Sequence, residues 1–176
     1  MLLVAIFSRH DDALAWARDR VLTHWGQVVL ESQKFSFKET TYYEDDMGAE
    51  LIKQFLIVEG QFDPQGLAER KLESNRWEEQ CGELGIYPDK RPLNIDPGYI
   101  TPIKLVLAST KDRSHRIYLA SGIYAEETLF FHDRRWQARP WTYADYQRDD
   151  FQEFFTKARG VLKLETHKTH GRDQQS

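Results

Sequence analysis

The chain has 176 residues, of which 40% are hydrophobic, and a single cysteine. That length supports one domain with a real core, and one cysteine excludes an internal disulfide framework and fits a reducing, cytoplasmic compartment. A net charge of −4 gives no global pull toward nucleic acid, so polyanion binding needs a local basic patch, and no apolar run reaches the roughly 20 residues that span a membrane.

Residues 2–7 are a continuous apolar run of strand length. They lack the basic start and small-residue cleavage site of a signal peptide, so they read as a buried first strand. Asp11 or Asp12 can cap a helix carrying Leu14, Ala17, Val21 and Leu22, which Gly26 ends. Residues 28–37 read as a second strand, with Phe35 and Phe37 alternating against Ser36 and Lys38, and residues 51–58 as a third. Asp63-Pro64 starts a second helix that runs to about Cys81, itself read as a small buried hydrophobe. After a loop with two Gly and two Pro at 82–92, a short strand at 93–96 breaks at Pro97-Gly98. Thr101-Pro102 is then expected to start a short helix to about Ser109.

A hairpin follows. A three-residue loop of Ala120, Ser121 and Gly122 sets Leu119 against Ile123 and Ile117 against Ala125 on a buried face. The same register puts Arg116 opposite Glu126 and Tyr118 opposite Tyr124 on the other face. Beyond Pro140-Trp141, residues 144–164 form an amphipathic helix with Phe151, Phe154, Phe155, Ala158, Val161 and Leu162 on one stripe. The expected organisation is one α+β domain over 1–165, with a disordered tail at 166–176. The order strand, helix, strand, strand, helix, strand is that of a ferredoxin-like split βαβ unit. The fold expected is therefore an antiparallel sheet with helices on one face, extended by a C-terminal β-hairpin and helix.

Several segments keep their order and spacing along residues 2–160: T-x-Y-Y-E-D-D-M-G from Thr40, N-I-D-P-G-Y-I-T from Asn94, K-L-V-L-A-S-T-K-D-R-S-H-R-I-Y-L from Lys104, G-I-Y-A-E-E-T-L from Gly122 and P-W-T-Y-A-D-Y from Pro140. In these the chain resembles a bacterial and archaeal family known only as domain-of-unknown-function family 4416. The resemblance implies no established reaction. Some relatives carry a GTP-binding label, but this chain has no G-x-x-x-x-G-K-[ST] phosphate loop, and Thr110-Lys111-Asp112 is too short for a guanine-recognition motif.

The chemistry concentrates between Asn94 and Glu126. Asp96, at a strand end, is a candidate catalytic carboxylate or a simple turn cap. His115 is the best general acid or base, since its unperturbed pKa lies near neutrality, with Glu126 as a third catalytic candidate. Lys111, Arg113, His115 and Arg116 form a basic cluster able to neutralise a phosphate or carboxylate. Tyr118 and Tyr124 offer an aromatic floor, and Tyr99 and Lys104 complete the segment's ligand-binding candidates. In the second long helix Lys71 and Asn75 share a stripe with Leu67, so both are expected to turn toward the sheet and to need partners there. Tyr42, Tyr43 and Glu44 could form a pocket wall.

No cofactor is indicated. A metal site built from Asp96, Asp112, His115 and Glu126 lacks zinc-like spacing, and His10, Asp11 and Asp12, a second possible metal cluster, read more simply as helix capping. The function expected is binding of, or catalysis on, a small anionic molecule, phosphorylated or nucleotide-like. The alternatives are an RNA- or protein-binding module on an aromatic sheet face, or a homodimer subunit using that face.

Overall fold

The computed structural model describes residues 1–38 and 44–173. The elements in order are β1 (Leu2–Ser8), α1 (Asp11–His24), β2 (Val28–Glu31), β3 (Phe35–Ser36), α2 (Glu44–Met47), β4 (Ile52–Val58) and α3 (Leu67–Glu83). They continue as β5 (Asn94–Ile100), β6 (Lys104–Ser109), β7 (Ile117–Ala120), β8 (Ile123–His132), β9 (Arg135–Ala138) and α4 (Asp149–Asp173). The nine strands form one antiparallel sheet in the order β2-β4-β1-β5-β6-β8-β7, with β3 added to β4 and β9 to β8. This is an α+β fold. Among the described residues no helix is long and apolar enough to cross a membrane.

Successive side chains of β1 point to opposite faces, and both faces are covered. Leu2, Val4 and Ile6 pack on Ala13, Leu14, Ala17 and Val21 of α1 and on Trp77 and Cys81 of α3. Leu3 and Ala5 face the other way, into a cluster with Phe55, Leu105 and Leu107 under Phe151, Phe154, Phe155 and Ala158 of α4. Phe55 is its centre, edge-on to Phe151 at 4.8 Å and to Phe155 at 5.0 Å, a geometry aromatic quadrupoles favour. The helices are therefore not confined to one face: α1 and α3 lie on one, and the apolar stripe of α4 closes the other.

Asp63 caps the turn before α3 as its sequence demands, accepting from the Gln65 amide at 2.9 Å. Other expectations fail for identifiable reasons. The single strand expected over 28–37 is two, β2 and β3, because Ser32 leaves the strand to donate its hydroxyl to the Gln33 carbonyl at 2.7 Å and accept from the Phe55 amide at 2.9 Å. The helix expected over 101–109 is instead β6. Thr101 does not cap a helix there; its hydroxyl accepts from the Lys104 amide at 3.0 Å and closes a tight turn. Leu105, Val106, Leu107 and Ala108 are all buried because helices cover both faces of β6, so their continuous apolar run carries no period-2 signature.

The hairpin keeps the expected pairs Ile117 with Ala125 and Tyr118 with Tyr124, but its loop is Ser121-Gly122, with a bulge at Leu119. Both loop residues have positive φ, 51° and 77°, the requirement of a two-residue type I′ turn. Ile117 and Leu119 are not on a buried face: β7 is an edge strand, and Ile117 is 72% exposed. Helix α4 runs past residue 164, its expected end, to Asp173, since Lys163, Leu164 and Glu165 are good helix formers. Tyr42 and Tyr43, read as a pocket wall, lie outside the described residues.

The feature that positions the site is an interruption between β5 and β6. The strand does not break at Pro97-Gly98 but runs through it, and only the pairing stops. The β5–β6 ladder consists of Gly98, Tyr99 and Ile100 against Leu107, Val106 and Leu105, whereas β5 pairs with β1 from Asn94 to Tyr99. Alternation along β5 turns the backbone groups of residues 95, 97 and 99 toward β6. Pro97 has no N–H to offer, so the ladder ends there. Gly98 lies at the last close approach of the two strands, where a Cβ would run into the Val106 carbonyl.

Gly98→Ala therefore destabilises the fold by about 2–4 kcal/mol. Gly160→Ala, in α4 where a Cβ meets nothing within 4 Å, stabilises it by roughly 0.5–1 kcal/mol. Urea denaturation of the two variants checks the contrast.

Candidate functional site

The interruption opens a cleft of about 550 Å³ whose walls come from both faces of the sheet. On the α3 side, side chains replace the missing strand. Ile95 donates its N–H to Glu78 Oε1 at 2.7 Å and receives at its carbonyl the Lys71 ammonium at 2.9 Å. Lys71 also binds Asp96 Oδ1 at 2.9 Å, Asn94 donates to Asp96 Oδ2 at 2.8 Å, and Arg91 holds Glu78 Oε2 at 2.6 Å. Arg91 further contacts Asn94 Oδ1. Lys71 and Asn75 thus do turn toward the sheet, as their spacing requires, and Lys71 has the partners its burial demands.

These contacts set the charges. Burial pushes Asp96 toward the neutral form, but Lys71, Lys53 and Asn94 outweigh it and hold its carboxyl below the usual carboxylate range. Burial dominates at Glu78 and pushes its carboxyl above that range despite Lys71 and Arg91.

The opposite wall is built by β4 and the segment before α4. Lys53, 4% exposed, meets Asp145 at 2.5 Å, with the rings of Phe37, Tyr146 and Phe7 at 4.5, 4.8 and 5.2 Å from its ammonium. Such a box holds a cation in place.

The third wall is the loop before β7 with the buried end of β8. Glu126, 2% exposed, accepts from Arg116 Nε at 2.8 Å and Nη2 at 2.7 Å and pairs with His115 Nε2 at 3.0 Å. Arg116 also donates to the Ser109 hydroxyl at 2.7 Å, the Lys111 carbonyl at 2.9 Å and the Tyr143 hydroxyl at 2.9 Å. The His115 ring stacks on Trp141 at 5.1 Å and 12°. Trp141 is itself pinned by its indole N–H to the Glu127 carbonyl at 2.9 Å, in the stretch of β8 left open between β7 and β9. A carboxylate only accepts, so the contact with Glu126 engages Nε2 and leaves Nδ1 as the other ring nitrogen of His115.

Of the residues singled out in the sequence, Lys71, Asn75, Asp96, Lys111, Arg113, His115, Arg116 and Glu126 line the cleft. Four of the ligand-binding candidates do not. Tyr99 packs on the α3 side, 6.4 Å from Phe62. Lys104 lies at the far end of β6, opposite Phe130. Tyr118 and Tyr124 form an edge-to-face pair at 5.4 Å on the outer hairpin, because the bulge and edge position of β7 carry that pair away from the opening. The cleft also contains Lys53, Arg91, Trp141, Tyr143 and Asp145, which sequence reasoning missed. Lys53 had a signal: it shares strand parity with Phe55 and Ile57, so it is a cation on a buried face.

The remaining candidates are structural. His10 pairs with Asp89 at 2.6 Å, Asp11 with Lys34 at 2.8 Å, and Asp12 accepts from the Ala13 amide at 3.0 Å. Among the described residues no group of three or more His, Cys, Asp and Glu is placed to hold a metal ion. Cys81 is buried, and that burial pushes its thiol up to about 11, which leaves it unreactive.

Lys53→Met leaves Asp145 as a buried unpaired charge and costs about 3–5 kcal/mol of stability. Adding Asp145→Leu restores most of that loss, because the pair's desolvation cost goes with it. Urea denaturation of the single and double variants measures the coupling; additive losses would show that the two groups do not act as a pair.

A family model described as a domain of unknown function, DUF4416, matches residues 1–161. No curated protein and no solved structure matches the chain. The match spans every strand, both long helices of the α3 face and the whole cleft, and the chain belongs to the DUF4416 family.

Proposed function

We propose that the cleft binds, and acts on, a small anionic molecule of phosphorylated or nucleotide-like chemistry. The observation that carries this reading is a local inversion of charge. The whole chain has 24 Lys and Arg against 28 Asp and Glu, yet the cleft is lined by six Lys and Arg and four Asp and Glu, with His115 in addition. Lys53, Lys71, Glu126 and Asp145 of this set are buried, and burying charges around one opening is costly unless they serve a site. Arg113 lines the cleft with no ion-pair partner for its guanidinium among the described residues, so it is the donor most available to an incoming phosphate.

His115 is the group suited to move a proton, and Glu126 is its positioning residue. Trp141 fixes the plane of the imidazole, which leaves Nδ1 as the atom that would meet a substrate proton.

The run β2-β4-β1-β5, with α1 and α3 as the two crossovers on one face, supports a ferredoxin-like split βαβ unit to which β6–β9 and α4 are added. A single buried cysteine with no disulfide partner supports a reducing, cytoplasmic setting.

A thermal-shift screen against phosphorylated metabolites, nucleotides and unphosphorylated controls tests the function. A phosphorylated compound at a hundredfold excess over its Kd raises the Tm by roughly 5–10 °C, and Arg113→Glu removes the shift without lowering the Tm of the unliganded protein. A panel with no phosphate-dependent shift contradicts the reading. It would turn attention to the exposed edge of β7, where Ile117 and Tyr118 stand 72% and 58% exposed, as a surface for a protein partner.

A further inference from the structure

The cleft is not uniformly basic, and its two ends differ in what they can still bond. On the end built by the β6–β7 loop the available group is a cation, Arg113. On the α3–β5 end the available groups are a carboxylate and an amide. Asp96 has two oxygens with about four lone-pair sites between them. Lys71 and Asn94 each take one, at 2.9 and 2.8 Å, and the side chain remains 28% exposed at the cleft. Asn75, one turn along α3 from Lys71, lines the same end, and its amide has no hydrogen-bond partner among the described residues.

An anionic group would be repelled by Asp96, which is held ionised. A hydroxyl would not: it donates to the carboxylate and accepts from the Asn75 amide. Two adjacent hydroxyls can use both remaining carboxylate sites at once, the way an acidic side chain takes a ribose edge in dinucleotide sites. The spare bonding capacity at this end thus matches a polyol and not a second anion.

We infer that the molecule taken by this cleft is a phosphorylated compound carrying a vicinal diol, its phosphate on the Arg113 end and its hydroxyls on Asp96 and Asn75. This rests on the anion-binding reading above and narrows it. A sugar phosphate and a ribonucleotide share that chemistry, and a nucleotide adds a base that the exposed face of Tyr143 could cover.

Titration calorimetry on the intact chain separates these cases, using ribose 5-phosphate, 2-deoxyribose 5-phosphate, AMP, dAMP and inorganic phosphate as probes. The expected result is that removing the 2-hydroxyl weakens binding at least about tenfold, since a site built to bond a hydroxyl is left with unpaired groups. Asn75→Ala, which breaks no side-chain hydrogen bond among the described residues, weakens ribose 5-phosphate about fivefold and leaves inorganic phosphate within about twofold. Asp96→Asn erases the preference for the hydroxylated partner of each pair. AMP binding tighter than ribose 5-phosphate identifies a nucleotide; the reverse identifies a sugar phosphate, and either supports the inference. Equal affinity for hydroxylated and deoxy probes, with phosphate bound and lost in Arg113→Glu, overturns the diol while leaving the anion site standing. Binding of none of the probes, phosphate included, overturns both.

Discussion

Everything distinctive about this molecule follows from a strand that loses its neighbour halfway along. A β-strand inside a sheet must satisfy its N–H and C=O groups on both sides, and an interior gap exposes groups that are expensive to leave unpaired. At Pro97 the sequence removes the donor that would have continued the ladder to β6. At Ile95 it supplies substitutes from outside the sheet, the Glu78 carboxylate for the N–H and the Lys71 ammonium for the carbonyl. The exchange is chemically specific. Two charged side chains of one helix do what a strand would otherwise do, and because they are charged they bring further partners, Arg91, Asn94 and Asp96, to the same place.

The two faces of the sheet meet at that gap, which is why the cleft draws on elements far apart in sequence. Helix α3 reaches it from one side, and the segment from Trp141 to Tyr146 from the other. The apolar clusters on the two faces keep these elements from adjusting: Trp77 and Cys81 anchor α3 on β1, and Phe151 and Phe155 anchor α4 against Phe55. The charged groups that α3 and the segment before α4 bring to the cleft therefore stand on elements packed into the two apolar clusters. This is the arrangement expected of a preorganised polar site, in which the cost of burying charge is met by the rest of the fold.

The sequence made some of this legible and hid the rest for physical reasons. Elements with a one-sided pattern or a strong punctuation mark were readable: α1 from its capping Asp residues and apolar spacing, α3 from Asp63-Pro64, α4 from its Phe stripe. Strand β6 was not, because helices cover it on both faces and its run of Leu, Val, Leu and Ala has no alternation to distinguish strand from helix. The Pro97-Gly98 pair was recognised as an interruption, but a single sequence does not say whether the chain turns or only its hydrogen bonding stops. Of the cleft's lining, the residues clustered locally between Asp96 and Glu126 and the inward-turned Lys71 and Asn75 were readable. Lys53, Arg91 and Asp145 were not, since their relevance depends on long-range pairing across the gap. The tyrosine pair at 118 and 124 was assigned its correct cross-strand partners and still lies off the cleft, because register fixes which residues face each other and not what covers them.

The most direct measurement is a titration of the ¹⁵N-labelled protein with pyrophosphate, followed by amide and side-chain NMR shifts. Anion binding at the gap produces concentration-dependent shifts in the backbone from Ser109 to Arg116, while the outer hairpin at Tyr118 to Tyr124 stays unmoved. Shifts confined to that hairpin, or none at all, would contradict the claim that the gap between β5 and β6 is an anion site.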